Sequence, residues 1–386
     1  MERIIALYLL SGLIKPTLML VGINLPFDYV YICLIIIIIF IIKKIPNAFS
    51  KEAIFDRSYG RVVTIFIIFN LFAIITGAYS LSSEYFLVKV IYLIQNLLVM
   101  FLTFVINRES LIKVFKNIIY IILVCGVLFI LFYNKQYQNY ALGDISKEDS
   151  GLELYLTLGL MAGLGFLVCY YLNNSIKHRK KLLFALALIL LISSARGPIV
   201  FTFLFLFFYF IIQKKLKTIF KVGLFAFLLI FLVFEFFPEN VYVSRFESRF
   251  SMFLNSAPSE SQAFNVRENL FSEAKNMISN KPILGYGLGS FGIYSTGKDI
   301  RSYPHNFIYE LFSELGIIGL GVFMFFLIMA CIYLVKRKEY LLVIIICYLL
   351  FNFLKGHSII EVKFFYFTLF AFLSIAATNK KLNGYC

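Results

Sequence analysis

Apolar runs long enough to cross a membrane recur along the whole chain, and they leave few folds open to it. Residues 34–42 alone read LIIIIIFII. A lipid interior offers backbone N–H and C=O groups no water to bond, so a crossing segment satisfies them within a helix or a closed barrel. Continuous apolar runs of this length fit helices. With 61% apolar and 15% charged residues, the chain falls well below the roughly 25% charge of a soluble domain. The expected fold is all-α: a polytopic integral membrane protein of about twelve spans, at 4–22, 27–42, 62–80, 87–106, 117–133, 152–172, 182–195, 198–212, 218–237, 315–335, 340–355 and 359–377.

The basic residues set topology. A formal charge of +15 invites a nucleic-acid reading, but the lysines and arginines sit in short clusters between apolar runs. Lys43 and Lys44, Lys113 and Lys116, Arg179 to Lys181, Lys214 and Lys215, and Lys336 to Lys338 all follow even-numbered spans. By the positive-inside rule both termini are cytoplasmic. The organisation expected is nine helices over 1–237, one long, partly helical outer loop over 238–303, and three helices over 304–386. Within the loop, 261–280 spaces Phe264, Leu270, Phe271, Ala274 and Ile278 as a rough apolar stripe. Met1-Glu2-Arg3 leads into apolar sequence with no small-residue cleavage site, so an uncleaved first span is expected. Lys15 beside Pro16 would lie in mid-membrane, either as a functional charge or because the span is broken or shallow. Five of the six cysteines fall inside apolar runs and read as packing residues.

One stretch gathers the chemistry. Residues 280–320 run from a glycine-rich turn through Arg301 and Pro304-His305-Asn306 into a helix carrying Glu310 and Glu314. On the charge topology Arg196, Arg267, His305 and His357 share the outer side. Arg196, in the turn Ala195-Arg196-Gly197-Pro198, reads either as a ligand for anions or as an interfacial arginine reaching for headgroups. Arg267 either binds substrate or pairs with Glu268 or Glu273. His305 is either a catalytic imidazole or a residue preceding a helix capped by Asn306. Glu310 and Glu314 share a helix face and are expected to bind arginines or cap polar groups inside the bundle. Gly287-Leu288-Gly289-Ser290-Phe291-Gly292 matches GxGxxG, but with no βαβ context it carries no nucleotide reading. Its glycines suit a tight turn or close approach to a ligand.

The order Ser194-Ala195-Arg196-Gly197, then Arg267, Pro282-Ile283-Leu284-Gly285-Tyr286-Gly287-Leu288-Gly289, and Pro304-His305-Asn306 through Gly316-Ile317-Ile318-Gly319 resembles the bacterial O-antigen polymerase/ligase superfamily (Wzy_C-type). That resemblance implies a metal- and nucleotide-independent membrane glycosyltransferase with no cofactor, acting at the outer leaflet of the cytoplasmic (inner) membrane. Its partners would be undecaprenyl-pyrophosphate-linked oligosaccharides as donor and acceptor, membrane lipid and a chain-length regulator protein, with no nucleic acid. Carried over, the pyrophosphate arginines fall on Arg196 and Arg267 and the essential histidine on His305. Arg301, Tyr303, Asn306, Glu310, Gly287, Gly289 and His357 are assigned to substrate binding. An O-antigen polymerase making lipopolysaccharide chains is the leading expectation. An O-antigen ligase, a twelve-span transporter or flippase, and a shape–elongation–division-type cell-wall polymerase are the alternatives.

Overall fold

The structure is a computed structural model describing residues 1–49, 57–141, 154–215, 217, 223, 262–358 and 360–383. Among these, all regular structure is helical. The helices are α1 (Glu2–Leu9), α2 (Ser11–Leu20), α3 (Tyr29–Phe49), α4 (Arg57–Ile75), α5 (Glu84–Val105), α6 (Arg108–Ala141) and α7 (Leu154–Tyr171). They continue as α8 (Arg179–Ile192), α9 (Arg196–Ile212), α10 (Gln262–Asn280), α11 (Phe291–Thr296), α12 (Phe307–Lys336), α13 (Tyr340–Phe353) and α14 (Lys363–Asn383). Among the described residues five helices are long and apolar enough to cross a membrane, or six if the bent pair α1–α2 is one span. α9, α13 and α14 offer shorter apolar stretches. Of the expected ninth span and outer loop, 218–222 and 224–261 lie outside the described residues.

The chain divides into two compact units. The first comprises Met1–Ile39, Glu109–Pro258 and Cys347–Leu349. Here α7 packs on α2, α8 and α9. Its small residues make that approach feasible: a Cβ on Gly163 would lie 2.2 Å from the Tyr348 hydroxyl and 2.6 Å from Thr202 Oγ1. Tyr348 donates across this gap to the Leu160 carbonyl at 2.9 Å. α1 and α2 meet at a 73° bend. Lys15, on α2, pairs with Asp28. The expected first span is therefore bent where α1 meets α2, and the lysine has a counter-ion beyond the end of its own helix.

The second unit comprises Phe40–Arg108, Ser259–Ile346 and Leu350–Cys386. α4 packs along α12, α5 along α14, and α10 against α12. Phe66 sits at the centre of an aromatic core, with ring centroids 5.0 Å from Phe326 and Phe370 and 5.1 Å from Tyr366. The helix expected at 261–280 is present as α10, burying Ala274 and Met277 with Phe291. Phe271, from the expected stripe, packs on Tyr309 at 5.5 Å.

The long α12 is interrupted at Gly316, whose φ of 65° and ψ of −171° are not helical. Such a break strands backbone donors and acceptors that a buried helix cannot leave bare. The glycine-rich turn supplies them. Tyr286 and Gly287 donate to the carbonyls of Ser313 and Glu314 at 3.1 and 2.8 Å, while Ile317 donates to Pro282 at 2.9 Å. Only glycine fits here, because a Cβ on Gly316 would lie 2.1 Å from the Ile283 carbonyl oxygen.

Candidate functional site

Beneath the turn lies a buried charge cluster. Lys89 of α5 donates to Glu310 Oε1 at 2.8 Å and to Glu314 Oε2 at 2.7 Å, with all three side chains at most 1% exposed. The two glutamates do share a helix face, as their spacing requires, but their cation is a lysine, not an arginine. Glu314 also accepts the backbone N–H groups of Gly289 at 3.0 Å and Phe291 at 3.4 Å. Ser358 donates to Glu310 Oε1 at 2.6 Å. One cluster thus fixes α5, the first segment of α12, the glycine turn and the connection between α13 and α14. Asn96 adds a second tie to that connection, donating to the Ile360 carbonyl at 2.7 Å.

The loop leading to α12 is fixed at both ends. Asp299 accepts from Ser82 Oγ at 2.6 Å and from the N–H groups of Ser83, Glu84 and Tyr85 at 2.9, 2.8 and 3.2 Å. It caps α5 from more than two hundred residues away. Although burial opposes the charge, those hydrogen bonds hold its carboxyl below the usual range. At the other end Asn306 caps α12, accepting from Ile308 at 2.9 Å and Tyr309 at 3.3 Å. That is the N-cap its position before an apolar helix predicts.

Between these anchors stand Arg301, Tyr303 and His305. Arg301 grips Glu361 through Nε at 3.2 Å to each carboxylate oxygen and through Nη2 at 2.5 Å. The Tyr85 hydroxyl donates to the same carboxylate at 2.6 Å. Burial alone would raise the Glu361 carboxyl, but Arg301 and Tyr85 together hold it below its usual value, and so ionised at neutral pH. The hydroxyl of Tyr303 donates to the Gly356 carbonyl at 3.3 Å, and its ring lies 4.7 Å from that of His305.

His305 adopts a left-handed backbone, φ 52°. Its imidazole is held below the usual value by burial first, then by the charges of Arg267 and Arg301. His357, edge-on to Phe353 at 5.5 Å, is pushed down to about 4 by burial. His305 and Arg301 add to this, while Glu361 opposes it. Both imidazoles are neutral near pH 7, and a neutral imidazole can accept a proton. Arg267 is exposed on α10 and makes no ion pair among the described residues, with Glu268 and Glu273 included.

The sequence-expected residues therefore divide. Arg267, Arg301, Tyr303, His305, Asn306, Glu310 and His357 all belong to the second unit, and electrostatic coupling links His305 to both arginines and His357 to His305. Gly287 and Gly289 belong there too, but the close approach they permit is to the chain itself: Cβ atoms would lie 2.5 Å from Ser80 Cα and 2.9 Å from the Phe86 nitrogen. Arg196 belongs to the first unit. It opens α9, exposed, after buried Ser193 and Ser194, the latter with φ 53°. Sequence reasoning missed Lys89, Glu361 and Asp299 as partners. A lysine two residues inside an apolar span is the signal that marks Lys89. Glu361 and Asp299 carry no local signal.

Residues 181–324 match the Wzy_C family model, described as O-antigen ligase. No curated protein matches the chain. The matched segment contains Arg196, Arg267, Arg301, His305, Glu310 and Glu314, and it agrees with the superfamily that the motif order resembles. The match spans less than half of the chain and is consistent with the O-antigen polymerase/ligase superfamily, whose members transfer glycans, and the apolar helices suit an integral membrane protein.

Proposed function

We propose that this Wzy_C-bearing chain polymerises undecaprenyl-pyrophosphate-linked oligosaccharide repeat units at the outer leaflet of the cytoplasmic membrane. In the reaction a hydroxyl oxygen of one lipid-linked unit attacks the anomeric carbon of the glycan carried by another. The new glycosidic bond forms as the bond to the diphosphate breaks. The hydroxyl proton passes to an imidazole nitrogen, and the diphosphate leaves as an anion with both bonding electrons.

His305 is the proton acceptor in this reading, because burial and two neighbouring arginines keep it neutral at working pH. Arg267 binds the departing diphosphate: it is always charged, forks onto phosphate oxygens and pairs with no carboxylate among the described residues. By analogy with losing one preorganised donor, removing Arg267 lowers turnover by about 10²–10³-fold. The observation that carries the reading is the neutral His305 under the charge of an Arg267 that has no ion pair among the described residues, both inside the segment that matches the family model.

Polymerase is preferred over ligase as the simpler demand on this chain, since a single substrate class serves as donor and acceptor. The test supplies purified protein in proteoliposomes with a lipid-pyrophosphate oligosaccharide, with and without a lipid A–core acceptor. A ladder of lengthening chains without the second acceptor is expected. Transfer only onto lipid A–core would make it a ligase, and uptake without any bond formation would make it a transporter.

A further inference from the structure

The two arginines whose charges act on His305 are electrostatically unlike. Arg267 stands exposed, with no ion pair among the described residues. Arg301 is committed, with two of its three nitrogens directed at Glu361 between 2.5 and 3.2 Å. The Glu361 side chain is 10% exposed and also receives the Tyr85 hydroxyl. The Arg301–Glu361 pair is thus close to neutral as a unit. A diphosphate bound against it would face the Glu361 carboxylate, and drawing Arg301 away would leave that largely buried carboxylate without its cation. What such a pair recognises well is a neutral, hydroxyl-rich ligand, which can donate to carboxylate oxygens and accept from the remaining guanidinium N–H groups.

The surroundings fit the same ligand. His357, on the connection that also carries Glu361, presents one donor and one acceptor when neutral. Tyr303, between Arg301 and His305, contributes an aromatic face with Arg301 over it at 5.7 Å. Aromatic walls with a few fixed polar groups are the usual lining of an organic-ligand pocket.

We propose that Tyr303, His357 and the Arg301–Glu361 pair form the saccharide-acceptor subsite, separate from the diphosphate-binding Arg267. This rests on the polymerase reading and deepens it by separating the two substrate ends. The attacking hydroxyl would be held by groups with no net charge, and the leaving group by a bare cation.

The experiment measures two probes separately on the full chain in nanodiscs. One is undecaprenyl pyrophosphate, followed by 31P NMR. The other is a lipid-free oligosaccharide released from the source cell's own surface polysaccharide, followed by saturation-transfer NMR. Glu361→Gln is expected to weaken the oligosaccharide about tenfold and, by baring Arg301, to tighten the pyrophosphate lipid. Arg267→Ala is expected to do the reverse, losing the pyrophosphate lipid and leaving the oligosaccharide unchanged. Tyr303→Ala should weaken only the oligosaccharide, with Tyr303→Phe restoring it; this pair decides the matter if Glu361→Gln does not fold. Wild-type protein that takes the pyrophosphate lipid but no oligosaccharide overturns the subsite alone, as does Glu361→Gln or Tyr303→Ala losing the pyrophosphate lipid instead. Wild-type protein that takes neither probe and makes no polymer sinks the polymerase reading and the subsite with it.

Discussion

Replacing Lys89 with methionine should be among the most damaging single changes in the second unit. The ammonium is fully buried and donates to two carboxyl groups at 2.7 and 2.8 Å. Methionine keeps most of the volume and removes the charge. Glu314 would retain the N–H groups of Gly289 and Phe291, and Glu310 would retain only the Ser358 hydroxyl on Oε1. Glu310 Oε2 already has no partner among the described groups. Orphaning one partner of a buried ion pair costs about 3–5 kcal/mol, and here two are orphaned, so the upper end of that range applies. The assay is reversible unfolding of detergent-solubilised protein in a denaturant series followed by circular dichroism. The double variant Lys89→Met/Glu310→Gln provides the internal check, since it removes the carboxylate left with least support. It should recover about half of the loss or more. If Lys89→Met unfolds at the wild-type midpoint, or the double variant is no more stable than the single, the cluster does not hold this unit together.

Other outcomes follow from the same geometry. His357 stays neutral in the folded chain down to about 4, against an ordinary value of 6.5; between these the unfolded chain binds the extra proton, so stability falls as pH drops through that window. His357→Gln should flatten that slope in unfolding midpoints measured across it. Asp299→Ala removes a four-bond cap from α5 and should destabilise by about 1–2 kcal/mol in the same denaturant assay. Gly316→Ala forces a Cβ to within 2.1 Å of the Ile283 carbonyl at a left-handed φ and should cost more than about 1–3 kcal/mol, the usual toll of such a backbone alone. Arg267→Gln removes a charge that depresses His305, so the acid limb of the pH–rate profile should move to higher pH.

The sequence made the helical character and most element positions readable, because apolar runs of membrane length permit little else. α10 emerged from its apolar spacing, and the cap at Asn306 from residue type and position. Two kinds of feature were hidden. The break at Gly316 lies within an otherwise good helical pattern, and it survives because the turn at 282–287, distant in sequence, satisfies the exposed backbone groups. The ionic partners were hidden for a related reason. Lys89 meets Glu310 across 221 positions and Arg301 meets Glu361 across 60, and no periodicity encodes such pairings. Of the two roles expected for Glu310 and Glu314, capping polar groups inside the bundle is seen, while the cation they bind is a lysine because α5 carries it to α12. Of the two readings of the glycines, a tight turn or approach to a ligand, the turn is what is seen, and it closes onto Ser80 and Phe86.

The most direct measurement is a count of products in proteoliposomes holding a single lipid-pyrophosphate oligosaccharide. For each repeat unit added to a glycan, one undecaprenyl pyrophosphate should be released. Both quantities should fall together by about 10²-fold or more in His305→Gln and Arg267→Ala proteins that unfold like wild type. Undiminished chain growth in either folded variant, or release of the lipid without lengthening of a glycan, would contradict the account.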